Sequence, residues 1–374
     1  MRVLYALESD SVDSVTNFIN SGNEYPKTYI WWDYINPDSR FKIVFIKSRK
    51  GNKIVEFIGR TFLIRHLQYQ IDVIRRQNEY DAIFCSLDHF HVLIYLCRLL
   101  GIVKKPIFGI AHYSFNYKVS SEKWIWKYRW RVYSFIAIRG FDYLAFFYEN
   151  LLKKSLEINN LPAKARNIIE WGADVDFFDN YVQDFDKELK EPYFMSIGSS
   201  NRDYKLLVEA FRENSHKLKI YQKLGLFSTK NVQIPANVYF DDELENGKNL
   251  EKHQLIRKAY KESYAVLIPL ERQFDNLTGV TVLLEAIACG KAVVVTDNVL
   301  LPFDVEKEGI GIKVKYGDKQ GWIDAVNFLV AHPEETKIMG ERAYQLAKNK
   351  FNYNNYREKL FNEFAKFSET YKLN

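Results

Sequence analysis

NLTGVTVLLEAIACGKAVVVTD, residues 276–297, carries the architecture of the whole chain in miniature. A polar turn, a helix-forming run and a β-branched run follow one another, the order expected of a parallel α/β sheet. Thr278 and Gly279 come after an apolar, strand-like run at residues 265–269 and a charged loop, and they open the helix. The free amides and positive dipole end of a helix N-terminus hold anionic phosphate, and a glycine there permits close approach. Asn276, Thr278, Gly279 and Val280 are therefore candidate phosphate contacts. Glu285 follows Thr278 by seven residues, about two helical turns, so its carboxylate is expected on the ligand-facing side, within reach of a ribose hydroxyl pair. Cys289 and Gly290 end the helix, glycine supplying a left-handed cap, and residues 292–296 read as a central strand buried on both faces. The plain alternative is an ordinary helix–strand unit with Glu285 as a solvated surface acid.

About 80 residues upstream, the strand-like run 193–197 leads into Gly198-Ser199-Ser200-Asn201-Arg202-Asp203-Tyr204-Lys205 and then the helical pattern LLVEAFRE. Arginine binds a phosphate through two parallel hydrogen bonds, which makes Arg202 the natural anion contact, with Lys205 as a second cation and Gly198 and Ser199 giving room. Arg202 and Asp203 could equally do no more than cap and solvate the start of a helix.

Strand-like runs alternate with helical patterns along the whole chain, which implies parallel sheets with helices on both faces. In the first half the clearest strands are 3–7, 42–46, 82–85, 106–110 and 143–147; in the second they are 193–197, 218–222, 238–240, 265–269, 292–296 and 311–314. A length of 374 residues exceeds what one hydrophobic core fills, so two doubly wound, Rossmann-like domains are expected. The tail from Phe351 to Lys372 carries aromatic residues at helical spacing and is expected to pack back on the first domain. In such a pair the ligand lies in a cleft where the carboxyl ends of the strands meet.

The segment Glu285-Ala286-Ile287-Ala288-Cys289-Gly290-Lys291-Ala292-Val293 closely resembles the C-terminal signature of retaining GT-B glycosyltransferases of the family 4, or group 1, type. In that family E-x7-E precedes A-x-A-x-G-x-P-V. Here Ala292 stands at the usual proline, and Leu277 stands where the family has its first acid, with Asp275 and Glu271 nearby. That acid's task passes to Asp275, Asn276 or main-chain amides, or the donor sugar is held differently. The loop at Gly198 resembles the family's phosphate loop, with Ser199 at the place of a first arginine and Arg202 fitting the later lysine. Residues 171–178, WGADVDFF, are similar to the N-G-V-D-x-x-x-F passage that leads into the second domain. The resemblance implies an N-terminal acceptor-binding domain at 1–172, a nucleotide-sugar donor domain at 173–350 and a returning helix at 351–374.

What the resemblance implies chemically is transfer of a hexose-type sugar from a nucleoside diphosphate sugar, UDP- or GDP-linked, to a hydroxyl of a glycan or lipid-linked acceptor with retention of configuration. The setting it suggests is bacterial cell-surface polysaccharide assembly. Arg202, Lys205 and the amides at Thr278 to Val280 would stabilise the departing diphosphate without a metal or other cofactor. His112, directly after the strand-like PIFGIA, stands where similar enzymes carry a histidine on the donor sugar; a packed strand-end histidine is the other reading. Glu8, Ser9, Asp10 and Ser11 replace the paired glycines that relatives often have after the first strand. Asp88, His89, His91 and His112 leave room for a nucleotide-sugar epimerase of the same fold. The missing first acid and first arginine leave room for a non-catalytic binding subunit.

Composition sets the remaining bounds. An apolar fraction of 47% with 27% charged residues is that of a globular protein. Cys85, Cys97 and Cys289 sit in apolar runs without metal-like spacing, so buried reduced thiols and no bound metal are expected. Met1-Arg2 runs straight into VLYAL, which gives no sign of a secretory signal, and a cytoplasmic protein follows as the expectation. Residues 1–170 hold 25 Lys+Arg against 16 Asp+Glu, whereas the rest hold 28 against 31, so the first half is the basic one. Within it KVSSEKWIWKYRWRVY, from Lys118 to Tyr133, mixes three tryptophans and five basic residues with one acid. That mixture suits an inner-leaflet membrane surface, or else a core-facing aromatic helix with a solvated basic edge. Nucleic acid is not expected, because no binding motif accompanies the charge.

Overall fold

The computed structural model describes residues 1–6, 15, 17–27, 41–46, 51–62, 64–85, 91–115, 124–157, 159–178, 193–222, 232–241, 252–272 and 276–373. The chain divides into two compact units: Met1–Asn23, Ile30–Trp171 and Tyr356–Asn374 make the first, Glu24–Tyr29 and Gly172–Asn355 the second.

The first unit holds strands β1 (Arg2–Tyr5), β2 (Lys42–Val44), β3 (Ala82–Cys85), β4 (Ile107–Ala111), β5 (Tyr143–Phe146) and β6 (Asn167–Ile168). They pair in parallel in the order β2-β1-β3-β4-β5-β6. The runs AIFC, IFGIA and YLAF are buried at every position, which is why they read as continuous apolar strings and not as alternating ones. Helices α1 (Lys53–Thr61), α2 (Leu67–Arg75), α3 (Val92–Leu99), α4 (Trp124–Gly140) and α5 (Glu149–Leu156) connect them. Gly109 in β4 carries the ring of Phe141 where a Cβ would stand, 2.1 Å from the nearest ring carbon, so a side chain there would expel the ring.

In the second unit the short helix α6 (Val175–Phe178) precedes β7 (Tyr193–Ile197), α7 (Tyr204–Phe211), β8 (Leu218–Tyr221) and β9 (Val238–Phe240). Then come α8 (Lys252–Glu262), β10 (Ser263–Ile268), α9 (Val280–Ala288), β11 (Val293–Thr296), β12 (Gly311–Val314), α10 (Lys319–Ala331) and α11 (Pro333–Asn349). The parallel order β12-β11-β10-β7-β8-β9 reverses between β7 and β10. At such a reversal the connections leave in opposite directions and open a crevice at the strands' carboxyl ends.

The last helix, α12 (Tyr353–Thr370), returns to the first unit, where Tyr356, Leu360, Phe364 and Phe367 are buried. Phe364 meets Phe41 at 5.2 Å and Phe108 at 5.1 Å between ring centroids, and the Tyr143 hydroxyl donates to Glu363 at 2.6 Å. Each such ring contributes roughly 1.5–3 kcal/mol by leaving water.

The two-residue β6 is absent from the expected strands because a strand that short carries no pattern; β10 begins two residues before its expected start, at Ser263, and β2 ends two residues before its expected end, at Val44. Cys85, Cys97 and Cys289 are buried and form no disulfide. No described helix is long and apolar enough to cross a membrane. Glu8, Ser9, Asp10, Ser11, Asp88, His89 and Asp275 lie outside the described residues, as do residues 118–123.

The short segment 24–27 is clasped onto the second unit. Arg257 pairs with Glu24 at 2.7 Å, the Lys27 amide donates to Asp174 at 2.7 Å, and Tyr25 meets His253 edge-on at 4.8 Å. Burial, helped by Lys252, pushes His253 down to about 4. The unfolded chain takes up this proton near pH 6.5 and the folded chain only near 4, so stability is full above 6.5 and falls as the pH drops through that window. We expect unfolding titrations between pH 6.5 and 4.5 to show the wild type losing on the order of 2 kcal/mol more than His253→Gln. Parallel curves would refute this.

Candidate functional site

At the reversal point, the loop after β7 is built around a buried guanidinium. Arg202 is 5% exposed; its Nε donates to the Ile197 carbonyl at 3.3 Å and its Nη1 to the Ser200 carbonyl at 2.9 Å. Gly198 stands at φ +118°, and a Cβ there would come within 2.6 Å of Arg202 Nη2. Only glycine both adopts that backbone and leaves room for the guanidinium. The Tyr204 hydroxyl donates to the Gly198 carbonyl at 2.6 Å, and Asp203 caps α7 by accepting from the Leu206 amide at 3.0 Å.

Main-chain bonds fix this loop to the segment that follows β10. Arg202 bridges Leu270 in antiparallel fashion, the Asp203 amide donates to Pro269 at 3.2 Å and the Glu271 amide donates to Asn201 at 3.2 Å. Thr296, at the end of β11, accepts from the Leu270 amide at 2.8 Å. Three neighbouring strand ends thus share one bonded rim.

The tip of α9 completes the site. Gly279 is its N-cap at φ +89°, and a Cβ there would press on Ile268 at 3.1 Å. Asn276 folds the preceding turn, its side-chain oxygen accepting from the Thr278 amide at 3.1 Å and also from the Thr278 hydroxyl. Asn201, left-handed at φ +57°, donates through Nδ2 to that hydroxyl at 3.2 Å and so ties the arginine loop to the helix tip. The Val280 amide donates to Leu277 at 3.2 Å. An incoming phosphate would therefore compete with internal bonds at Thr278 and Val280.

Glu285 is not a solvated acid: it is 6% exposed, and its carboxylate accepts from the Tyr260 hydroxyl on α8 at 2.9 Å. Gly290, at φ +63°, ends the turn after α9 as expected of a left-handed cap. Behind it Lys291 is buried, donating to the carbonyls of Lys261 and Ser263 at 3.1 and 2.7 Å, and burial lowers it to about 8.

Burial shifts the ionisation of the charged groups on this rim. Burial holds Arg202 below its ordinary value, so a negative charge brought beside it would relieve that cost. Asp203 is raised chiefly by burial, and Glu271 by burial and then by Asp203. Gly198, Ser199, Arg202, Asn276, Thr278, Gly279, Val280 and Glu285 lie in the second unit on this frame; Lys205 is there too, exposed on α7. His112 belongs to the first unit, after β4, edge-on to Phe147 at 4.6 Å. Asn201, Glu271 and Tyr260 were not singled out as contacts. Asn201 was legible, since asparagine tolerates the left-handed region; Tyr260 was not, because its partner lies 25 residues away on another helix. No group of three or more His, Cys, Asp or Glu placed to hold a metal occurs among the described residues.

Residues 242–346 match the family model described as Glycosyl transferases group 1. A search of curated proteins finds no match. Among solved structures, Anabaena HepE in complex with UDP-glucose superposes with a TM-score of 0.68 at 12% identity, covering 98% of this chain and 100% of that one. Sucrose-phosphate synthase from Thermosynechococcus elongatus gives 0.68 at 14% identity, covering 99% of both chains. A glycosyltransferase from Rickettsia africae gives 0.61 at 14%, covering 100% of this chain and 99% of that one. The fold is that of the GT-B glycosyltransferases.

Proposed function

We propose that this chain, a GT-B fold whose residues 242–346 carry the group 1 glycosyl transferase pattern, moves a hexose-type sugar from a nucleoside diphosphate sugar to a hydroxyl of a glycan or lipid-linked acceptor, with retention of configuration and without a metal. The observation that carries the reading is the Asn201–Thr278 bond at 3.2 Å, which joins a buried arginine loop to a helix tip at the switch point of a parallel sheet. A diphosphate seated there takes Arg202 on one side and the Gly279 end of α9 on the other, with the exposed Lys205 as an outer cation. As the anomeric C–O bond stretches, charge builds on the leaving phosphate oxygens, and these donors stabilise it more than they stabilise the ground state. Glu285, oriented by Tyr260, takes the ribose hydroxyls. Glu271, on the rim beside Asn201, takes the sugar hydroxyls that the missing first acid would hold, and His112 orients the same sugar. The acceptor hydroxyl oxygen bonds to the anomeric carbon on the face that the diphosphate leaves, and its proton passes to the departing phosphate oxygen.

UDP is the first nucleotide to try, because HepE was solved with UDP and with UDP-glucose. The reading extends to bacterial cell-surface polysaccharide assembly on the cytoplasmic side of a membrane, touched through residues 118–133. A second reading, a non-catalytic binding subunit, rests on Leu277 and Ser199 at positions where relatives carry an acid and an arginine. We expect a thermal-shift screen of UDP, GDP, ADP and TDP with their sugars to raise the melting temperature for one base class, and that sugar nucleotide to be turned over. A shift without turnover supports the second reading, interconversion of the sugar supports an epimerase, and no shift with any nucleotide refutes donor binding.

A further inference from the structure

Helix α1 wears its apolar face on the outside. Asn52 caps it, accepting from the Val55 amide at 2.9 Å, and within it Gly59 alone is buried, packed against Leu67 and the Ile64 carbonyl. Ile54, Phe57, Ile58 and Phe62 recur at the three- and four-residue spacing of one helical face, and that face is turned to solvent: Ile54 is 68% exposed, Phe57 69% and Phe62 67%. A core helix buries such a stripe; this one docks by its glycine edge and leaves the stripe uncovered.

Helix α4 buries Ala137 and Ile138 yet also leaves a set of large apolar residues in solvent. Its inner side is fastened by Trp130 and Ser134, which both donate to the Phe115 carbonyl, at 3.1 and 3.0 Å. Its outer side exposes Trp124, Ile125, Tyr128, Val132 and Phe135. The guanidinium of Arg139 lies 3.8 Å from the centre of the Phe135 ring. Helix α1 packs on α2, α2 on α3 and α3 on α4, so the two faces belong to one layer, as right-handed crossovers moving the same way along a sheet require. Of the 18 exposed large apolar residues among those described, 13 fall between Ile54 and Phe135. The concentration marks a surface that something covers.

Charge says what covers it. Helices α1 and α4 themselves carry Lys53, Arg60, Lys127, Arg129, Arg131 and Arg139 against one acid, Glu56, which lies 3.8 Å from Arg60, and Lys53, Arg60, Lys127 and Arg131 interleave with the exposed rings and aliphatic chains. Aromatic and aliphatic groups that enter an interface, ringed by cations that stay in water, match an anionic bilayer surface.

We propose that the outer faces of α1 and α4 together dock this protein on a bilayer containing anionic lipid, α1 inserting Phe57 and Phe62. This deepens the membrane part of the proposed function and rests on it for α4, while α1 is a separate contact. The test is co-sedimentation of the full chain with phosphatidylcholine vesicles with and without 30% phosphatidylglycerol, on the order needed for a distinct surface potential. Wild type is expected to bind the anionic vesicles and to be released by high salt. Phe57→Ser/Phe62→Ser and, separately, Lys53→Glu/Arg60→Glu are each expected to weaken binding about tenfold or more, with unchanged melting temperature and nucleotide shift. Binding unchanged in both α1 variants overturns the proposal while leaving α4 as the contact. Equal binding to neutral vesicles overturns the anionic assignment. Absence of vesicle binding overturns the membrane reading altogether, and a dimer that Phe57→Ser/Phe62→Ser dissolves would then identify a second copy as the occupant. None of these outcomes bears on donor binding, which the nucleotide shift reads independently.

Discussion

Arg202→Ala is expected to lower kcat/KM for sugar transfer by about 100- to 1,000-fold, the scale seen when one preorganised donor is removed from a developing oxyanion. The reason lies in how the side chain is held. Arg202 Nε and Nη1 donate to the Ile197 and Ser200 carbonyls, which fixes the plane of the fork before any ligand arrives. A group oriented in advance spends no binding energy on ordering, so its interaction with the departing phosphate is nearly all gain. Burial adds to the effect, because the same charge acts more strongly away from water. Arg202→Lys is expected to recover little, since an ammonium has no fork to span two carbonyls and a phosphate together. The substitution also removes two bonds from the loop, costing on the order of 1–3 kcal/mol in stability. The two effects separate experimentally: a lower melting temperature alone reports the loop, whereas loss of the nucleotide-induced shift reports the site. Turnover within tenfold of wild type would remove Arg202 from the reaction.

Glu285→Gln is expected to weaken nucleotide binding by one to two orders of magnitude while leaving inorganic pyrophosphate binding unchanged. A carboxylate accepts from both hydroxyls of a ribose, while an amide offers one acceptor and presents a donor where none is wanted. Each charge-assisted bond is worth about 1.5–3 kcal/mol, which sets that range. Tyr260 enters as a positioning residue, since its hydroxyl donates to the Glu285 carboxylate at 2.9 Å. Tyr260→Phe is therefore expected to weaken nucleotide binding less than Glu285→Gln, and the double variant to cost less than the two single losses combined, as coupled groups require. Arg202→Ala should show the opposite ligand pattern, losing pyrophosphate and nucleotide alike. If Glu285→Gln binds nucleotide as wild type does, the carboxylate is a structural acid held by Tyr260 and not a ribose contact.

The fold was largely legible because its strands are central and parallel. VVVT, AIFC and YLAF are buried on both faces, so sequence and burial coincide. The helix–strand unit at 280–296 carried its own punctuation in Gly279 and Gly290, and the aromatic spacing of the tail pointed to a helix returning to the first unit, where Phe364 meets Phe84 of β3 and Phe108 of β4. What escaped the reading depended on distant partners. Gly198 read as loop space, yet its necessity comes from a guanidinium four residues on that folds back over it. Asn276 and Thr278 were read as ligand contacts by position, whereas their side chains first shape the turn itself. The clasp of segment 24–27 on the second unit joins residues more than 140 positions apart, and no local pattern announces such a contact. The amphipathic run at 53–61 has the period of a core helix, and period alone does not say which way an apolar face is turned.

A crystal structure of the protein with UDP bound is expected to show the diphosphate within hydrogen-bonding distance of the Arg202 guanidinium and the Gly279 amide, with the ribose hydroxyls on the Glu285 carboxylate. Nucleotide seated away from these three residues, with Arg202 turned only to the carbonyls of Ile197 and Ser200, would contradict it.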